Sequence, residues 1–231
     1  MLPGASPSLP ERPRLYGVYP ALVTDVQDPD AQGRVQVRLP FVEESDGGSA
    51  LAWARLATLM AGAGRGSWFI PEVDDEVLVA FTAGDPRRPV VIGALWNGVD
   101  TPPESMDSAN NLRSLTSRSG HVLRFDDSAG AEKVELKTQG GHTFTVDDAA
   151  GGTVTLSHSN GATVKMDAAG NIEIDANLRV TVQAPAGLEI TAATVTVNAA
   201  MSTFSGVVKA DTVITNSVVS ASYTPGAGNV W

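Results

Sequence analysis

From Gly120 onward the chain repeats itself, and that repetition limits what it can fold into. Val122-Leu123-Arg124-Phe125 runs into Asp126-Asp127, and Val134-Glu135-Leu136-Lys137 precedes Gly140-Gly141. Thr143-Phe144-Thr145-Val146 leads to Asp147-Asp148, Val154-Thr155-Leu156 to Asn160-Gly161, and Val164-Lys165-Met166 to Gly170-Asn171. Ile172-Glu173-Ile174, Leu178 to Val182, Leu188-Glu189-Ile190 and Val195-Thr196-Val197 continue the series. The unit is about ten residues long at first and about eight later, a short alternating strand followed by a Gly, Asn or Asp turn. A short period sustained over so many units is the signature of a β-helix or β-solenoid.

Each unit offers two or three apolar side chains on one face, so one chain alone leaves an apolar face in water and its strand edges unpaired. A single-chain solenoid coils the units on themselves and uses about 20 residues or more per coil. An interleaved trimer lets each chain supply one face per layer, and the shorter units favour it. In that arrangement the inward positions are Val134, Leu136, Val146, Val154, Leu156, Val164, Met166, Ile172, Ile174, Val180 and Val182. The pattern leaves the inward face open around Phe144 and Val195. Aromatics make up 6% of the chain, and after Phe144 only Phe204, Tyr223 and Trp231 remain. A ring-poor half of this kind does not suit a globular core.

The first part of the chain reads differently. Residues 1–14 form a proline-rich arm. Within 15–97, five short strand patterns lie around Leu15–Val23, Gly33–Leu39, Ala52–Ala57, Glu76–Phe81 and Val90–Leu95. Turn signals at Asp28-Pro29-Asp30 and Asp85-Pro86-Arg87-Arg88-Pro89 and a Gly62–Ser67 loop separate them. Several short strands with no helical period predict a small closed barrel. Residues 98–120 read as a polar connector, 121–200 as the needle, and 201–231 as its end, where the regular period is lost.

The run Trp53–Gly62, then Arg65–Val73 and Glu76–Phe81, resembles the spike barrel of the phage baseplate assembly protein V and type VI secretion spike (VgrG) families. Gly84–Pro89 and Gly93–Gly98 resemble the end of that barrel. Arg118-Ser119-Gly120-His121 before Phe125-Asp126-Asp127 resembles the start of the needle. The resemblance implies an all-β homotrimer: an N-terminal oligonucleotide/oligosaccharide-binding (OB) barrel followed by an intertwined triple-stranded β-helix. It implies a non-enzymatic central spike in the baseplate of a contractile injection system, docked on a separate hub protein and inner tube. Sheath contraction would drive the needle through a target envelope. Relatives that carry a hub before the barrel, or a lysozyme domain after it, set the expectation that this chain supplies neither. Phe204, Tyr223, Pro225, Gly226, Gly228 and Trp231 are expected to close the needle end or to seat a PAAR-like tip protein.

Other functions find little support. A net charge of −10 and a pI near 4.7 argue against nucleic acid as ligand. There is no cysteine, so disulfide and thiolate chemistry are excluded. His121, His142 and His158 are isolated and predict no metal site. The acidic pairs Asp74-Asp75, Asp126-Asp127 and Asp147-Asp148 read as solvated turns. The Gly62–Ser67 loop lacks the Gly-Lys-Ser/Thr ending of a phosphate loop. No nucleophile elbow occurs, so no catalytic residue and no cofactor are expected. The N-terminus lacks the charged and apolar regions of a secretory signal, and no apolar run approaches a membrane span. Cytoplasmic synthesis, assembly into a particle and outward delivery by contraction are therefore expected. The alternative is a carbohydrate- or polymer-binding module, with Trp53, Trp68 and Trp96 on an OB-like receptor barrel and the solenoid as a spacer.

Overall fold

The computed structural model describes residues 14–43 and 49–222, and these fall into two units, one ending at Arg179 and one beginning at Val180. The first unit opens with a closed barrel. Its strands are β1 (Val18–Asp25), β2 (Val35–Glu43), β3 (Ser49–Leu56), β6 (Glu76–Phe81) and β7 (Pro89–Ala94), in spatial order β1-β2-β3-β7-β6. Its pairings are antiparallel except β3 with β7, where Arg55 and Leu56 run parallel to Val90 and Val91. Alternate positions point inward, so Val35, Val37 and Leu39 of β2 meet Val77, Val79 and Phe81 of β6 in one fully buried core with Ala21, Val23, Ala54 and Val91. Pro40 donates no backbone N–H, and it falls where the β2–β3 register shifts, between Leu39 and Glu43. The five expected strand segments are the five barrel strands, and closure leaves no free edge. The expected Gly62–Ser67 loop carries a small hairpin, β4 (Ala61–Gly62) with β5 (Arg65–Gly66), turned by Gly64 at φ 65°.

The second element of this unit is a seven-stranded antiparallel meander. It comprises β8 (Leu112–Thr116), β9 (Val122–Asp126), β10 (Lys133–Lys137), β11 (Thr143–Asp147), β12 (Thr153–Ser157), β13 (Thr163–Met166) and β14 (Ile172–Asp175), each paired with its sequence neighbour. The segment 98–120 is therefore not all connector. Leu112–Thr116 pairs along its full length with β9, although Leu-Arg-Ser-Leu-Thr does not alternate and so gave no strand signal. Long-range pairing overrides weak local pattern here.

The unit from Val180 has neither strand nor helix among its described residues. It is irregular chain with bends at 185–186, 193, 200, 205–206, 211, 216 and 221. Its one backbone–backbone hydrogen bond among the described residues runs from the Gly187 N–H to the Ala184 carbonyl.

Candidate assembly interface

Directly opposed residues of an antiparallel pair share a face, and the registers of the meander sort its side chains almost completely by polarity. Leu115 pairs with Leu123, and Phe125 with Val134. Leu123 pairs with Leu136, Leu136 with Phe144, and Phe144 with Leu156. Val134, Val146, Val154 and Met166 form a second row, and Leu156, Val164 and Ile174 extend the first. Ile172 closes the set beside Met166. All of these lie on one face, whose only charged member is Arg113, opposite Phe125 and 3.4 Å from Asp127. The other face carries Arg124, Glu135, Lys137, Thr143, Thr145, Thr155, Lys165 and Glu173.

Several of the large apolar side chains are exposed, while threonines of the polar face are not. Phe144 is 42% exposed, Leu156 55% and Ile172 67%, whereas Thr143, Thr145 and Thr155 are half-buried. An apolar surface this continuous is costly in water, at roughly 25 cal/mol per Å². Nine of the eleven expected inward positions, Val134 through Ile174, share this face. The structure also places Phe144 there, together with Leu115, Leu123 and Phe125. The alternation at Leu123 and Phe125 could have identified them, but Val122, on the opposite face, runs into the same apolar stretch.

The polar face is partly covered by the connector. Arg124 donates to Glu104 at 2.6 Å and stands 3.9 Å from Glu135. The Arg124 guanidinium holds the Glu104 carboxyl below its usual range. At one turn edge, Arg118 reaches Glu72 of the barrel at 3.0 Å.

The turn carboxylates are committed to local backbone. Asp126 accepts the Ser128 N–H, Asp147 that of Ala149, and Asp167 those of Ala169 and Asn171. Asp126 and Asp167 are held below the ordinary carboxylate value by these hydrogen bonds, led by the side chains of Ser128 and Asn171. The three histidines occupy the turns of one edge. Their Nδ1 atoms accept the N–H groups of Gln139, Ser159 and Asn160, and the rings of His142 and His158 lie 4.2 Å apart. Their spacing of two strands each time, which is legible in the sequence, is what brings them to one edge.

In the second unit Val180, Val182, Leu188, Ile190, Val195, Val197 and Phe204 remain well exposed within one chain. Tyr223, Pro225, Gly226, Gly228 and Trp231 lie outside the described residues.

The barrel surface carries one polar clamp and one apolar rim. Asp28 accepts from the Arg34 guanidinium at 2.6 Å and from the N–H groups of Asp30, Gln32 and Arg34. These hold its carboxyl well below the usual carboxylate range, with Arg34 the largest cause. Arg34 also lies over the Trp53 ring, 5.8 Å from its centroid. A groove of about 580 Å³ runs beside the β4–β5 hairpin, lined in part by Met60, Trp68 and Phe69. Trp68 and Phe69 are each about three-quarters exposed there, and Trp96 is also well exposed near the connector.

With this geometry in hand, similarity to known proteins is informative. Residues 19–96 match the type VI secretion system/phage-baseplate injector OB domain. Residues 133–206 match the phage baseplate V C-terminal trimerisation domain. The chain is 34% identical over 116 residues to the type VI secretion system spike protein VgrG3 of Vibrio cholerae, covering 48% of this chain and 11% of that protein. It is 34% identical over 140 residues to the spike protein VgrG4b of Pseudomonas aeruginosa, covering 55% of this chain and 17% of that protein. It is 32% identical over 116 residues to the actin cross-linking toxin VgrG1 of V. cholerae, again 11% of that protein's length. The chain thus spans less than a fifth of the curated relatives it matches here. Barrel and trimerisation domains follow one another in order and together account for well over half of its residues, and the chain belongs to the phage baseplate V and type VI secretion spike family.

Proposed function

We propose that three copies of this chain form the central spike of a contractile injection particle. The apolar sheet faces meet around one axis, with Val134, Leu136, Phe144, Val146, Val154, Leu156, Val164, Met166, Ile172 and Ile174 as the core. Val180 and Val182 belong to the axial core of the second unit. The barrel docks on a hub and inner tube, and a PAAR-like protein caps the far end. The particle assembles in the cytoplasm, and sheath contraction drives the needle through a target envelope. The spike acts by mechanical piercing and carries no catalytic step of its own.

The observation that carries this reading is the open apolar face of the meander. A sheet with one apolar and one polar face buries the apolar one, and the described residues of this chain leave it uncovered. The second unit supports the same reading. Among its described residues the backbone N–H and C=O groups form no ladder, and backbone of this kind takes its hydrogen bonds from neighbouring strands. A single-chain solenoid would instead show a ladder between its own successive coils.

Light scattering on the purified chain tests the proposal. The expected mass is three times the 24.0 kDa of one chain. Val154→Asp, on the apolar face, abolishes that trimer, whereas Thr155→Asp, one residue away on the other face, keeps it. A monomer at micromolar concentration would sink the proposal.

The exposure of Trp68 and Phe69 beside the barrel groove favours one further reading, a polymer- or glycan-binding surface on the same barrel. Titration with oligosaccharides separates the two. Binding that Trp68→Ala removes supports the receptor reading, and its absence leaves the groove as a docking surface.

A further inference from the structure

The bends of the second unit are not evenly spaced, and their spacing carries information about the needle. Those at 185–186, 193 and 200 are seven to eight residues apart, and those at 205–206, 211, 216 and 221 are five apart. Side-chain exposure changes in step. In the longer units two residues per unit are the more sheltered, Val180 with Val182, Leu188 with Ile190 and Val195 with Val197, while Leu178 just before them is 99% exposed. In the five-residue units only one of the large apolar side chains is. Val208, Val213 and Val218 are 62–72% exposed, and their apolar neighbours Val207, Ile214 and Val219 are 95–98% exposed. The sheltered set advances by five with each bend, and the exposed set flanks it.

We infer that beyond Gly206 the trimer narrows to a needle in which each chain contributes a single axial side chain per layer. Val208, Val213 and Val218 form the axial file, and Lys209, Ile214 and Val219 face outward. The partners are two further copies of this chain, so the inference rests on the trimer proposed above.

Geometry requires the change. At about 3.3 Å per residue, an eight-residue unit spans at most roughly 26 Å and a five-residue unit roughly 16 Å. The face of a three-sided prism of that edge stands roughly 8 Å from the axis in the first case and roughly 5 Å in the second. Alternation along an extended face of eight residues puts two large apolar side chains, such as Leu188 and Ile190, on the same side near its middle, and leaves room for both. A face of five has room for one branched aliphatic side chain from each chain, and valine, stiff at χ1, fills it with little entropy to lose. Phe204, at the change of spacing, is the large side chain that fills the wider layer where the narrow one begins. Five-residue turns could also build a single-chain square coil, but successive coils would then share a backbone ladder, and none is present among the described residues of this unit.

Thiol accessibility tests this in the full chain, which has no native cysteine. Val213→Cys and Ile214→Cys are made separately, their trimeric mass is measured, and maleimide labelling is followed without denaturant. The thiol at position 213 reacts at least tenfold more slowly than the thiol at 214. Val195→Cys and Val197→Cys are both slow, because two positions per layer face the axis there. As a second readout, Val213→Asp makes the region beyond Gly206 sensitive to protease while the trimer mass persists, and Ile214→Asp does not. Equal labelling at 213 and 214 in a confirmed trimer would overturn the single axial file and leave the trimer standing. A monomeric wild-type chain would remove both.

Discussion

At the scale of single residues, two positions report on how local chemistry holds the fold. Asp28 is buried under Arg34 and three backbone N–H groups, and its carboxyl is held well below the usual range. A lowered folded-state pKa stabilises the protein wherever the unfolded carboxyl is ionised, above about pH 4. That contribution disappears progressively as pH falls from there toward the folded-state value. Asp28→Asn should therefore lower the barrel melting temperature at pH 7, with the difference from wild type shrinking below pH 4. Tryptophan fluorescence reads it, since Trp53, one of four tryptophans, lies under Arg34. Gly151 sits at φ 96°, and a Cβ there would stand 3.0 Å from the Ala168 Cβ of the next turn on the same edge. The left-handed region costs a non-glycine residue about 1–2 kcal/mol. Gly151→Ala should destabilise the sheet by at least that much in chemical denaturation, whereas Gly170→Ala, which meets no neighbouring atom, should show the backbone cost alone.

At the scale of elements, the barrel and the meander obey the same period of two and reach opposite outcomes. Alternation along β2 and β6 turns Val35, Val37, Leu39, Val77 and Val79 into a closed interior, where they are fully buried. Alternation along β9 to β14 turns an equally apolar set onto an open face. Phe144 lies in the middle of that face, between Leu136 and Leu156. Phe144→Ala should cost about 3–5 kcal/mol per buried site. Trimer dissociation under denaturant measures it, and no effect would mean that the face stays open in solution. The histidine turns show the same element logic. His121 and His142 lie in β-turns separated by two strands, so the meander returns them to one edge without any local signal that they belong together.

At the scale of the whole molecule, a core complete within one chain and a core shared among three respond differently to concentration. Stability that depends on association rises with protomer concentration, and stability within one chain does not. Calorimetry should resolve two transitions, a barrel transition that stays fixed on tenfold dilution and a needle transition that falls. Coincident, concentration-independent transitions would contradict a shared core. Much of this was legible in the amino-acid sequence: the five barrel strands, the six repeats from Val122 to Ile174 and the choice of apolar face, because period-two alternation and turn residues are local properties. The strand at Leu112–Thr116 was not legible, since its residues do not alternate and only pairing with β9 makes them a strand. The side of Phe144 was left open, although Phe144 stands two residues from Val146 in a strictly alternating run and so shares its face. The shortening to five residues past Gly206 looked like loss of the repeat, because one sheltered position in five gives no alternation to detect. Sequence alone determined that the C-terminal half repeats and cannot bury its apolar side chains within a single sheet. Only the tertiary structure decided which side chains share that face and where the bends of the following unit fall, because register and bend spacing are relations between segments and no residue carries them by itself.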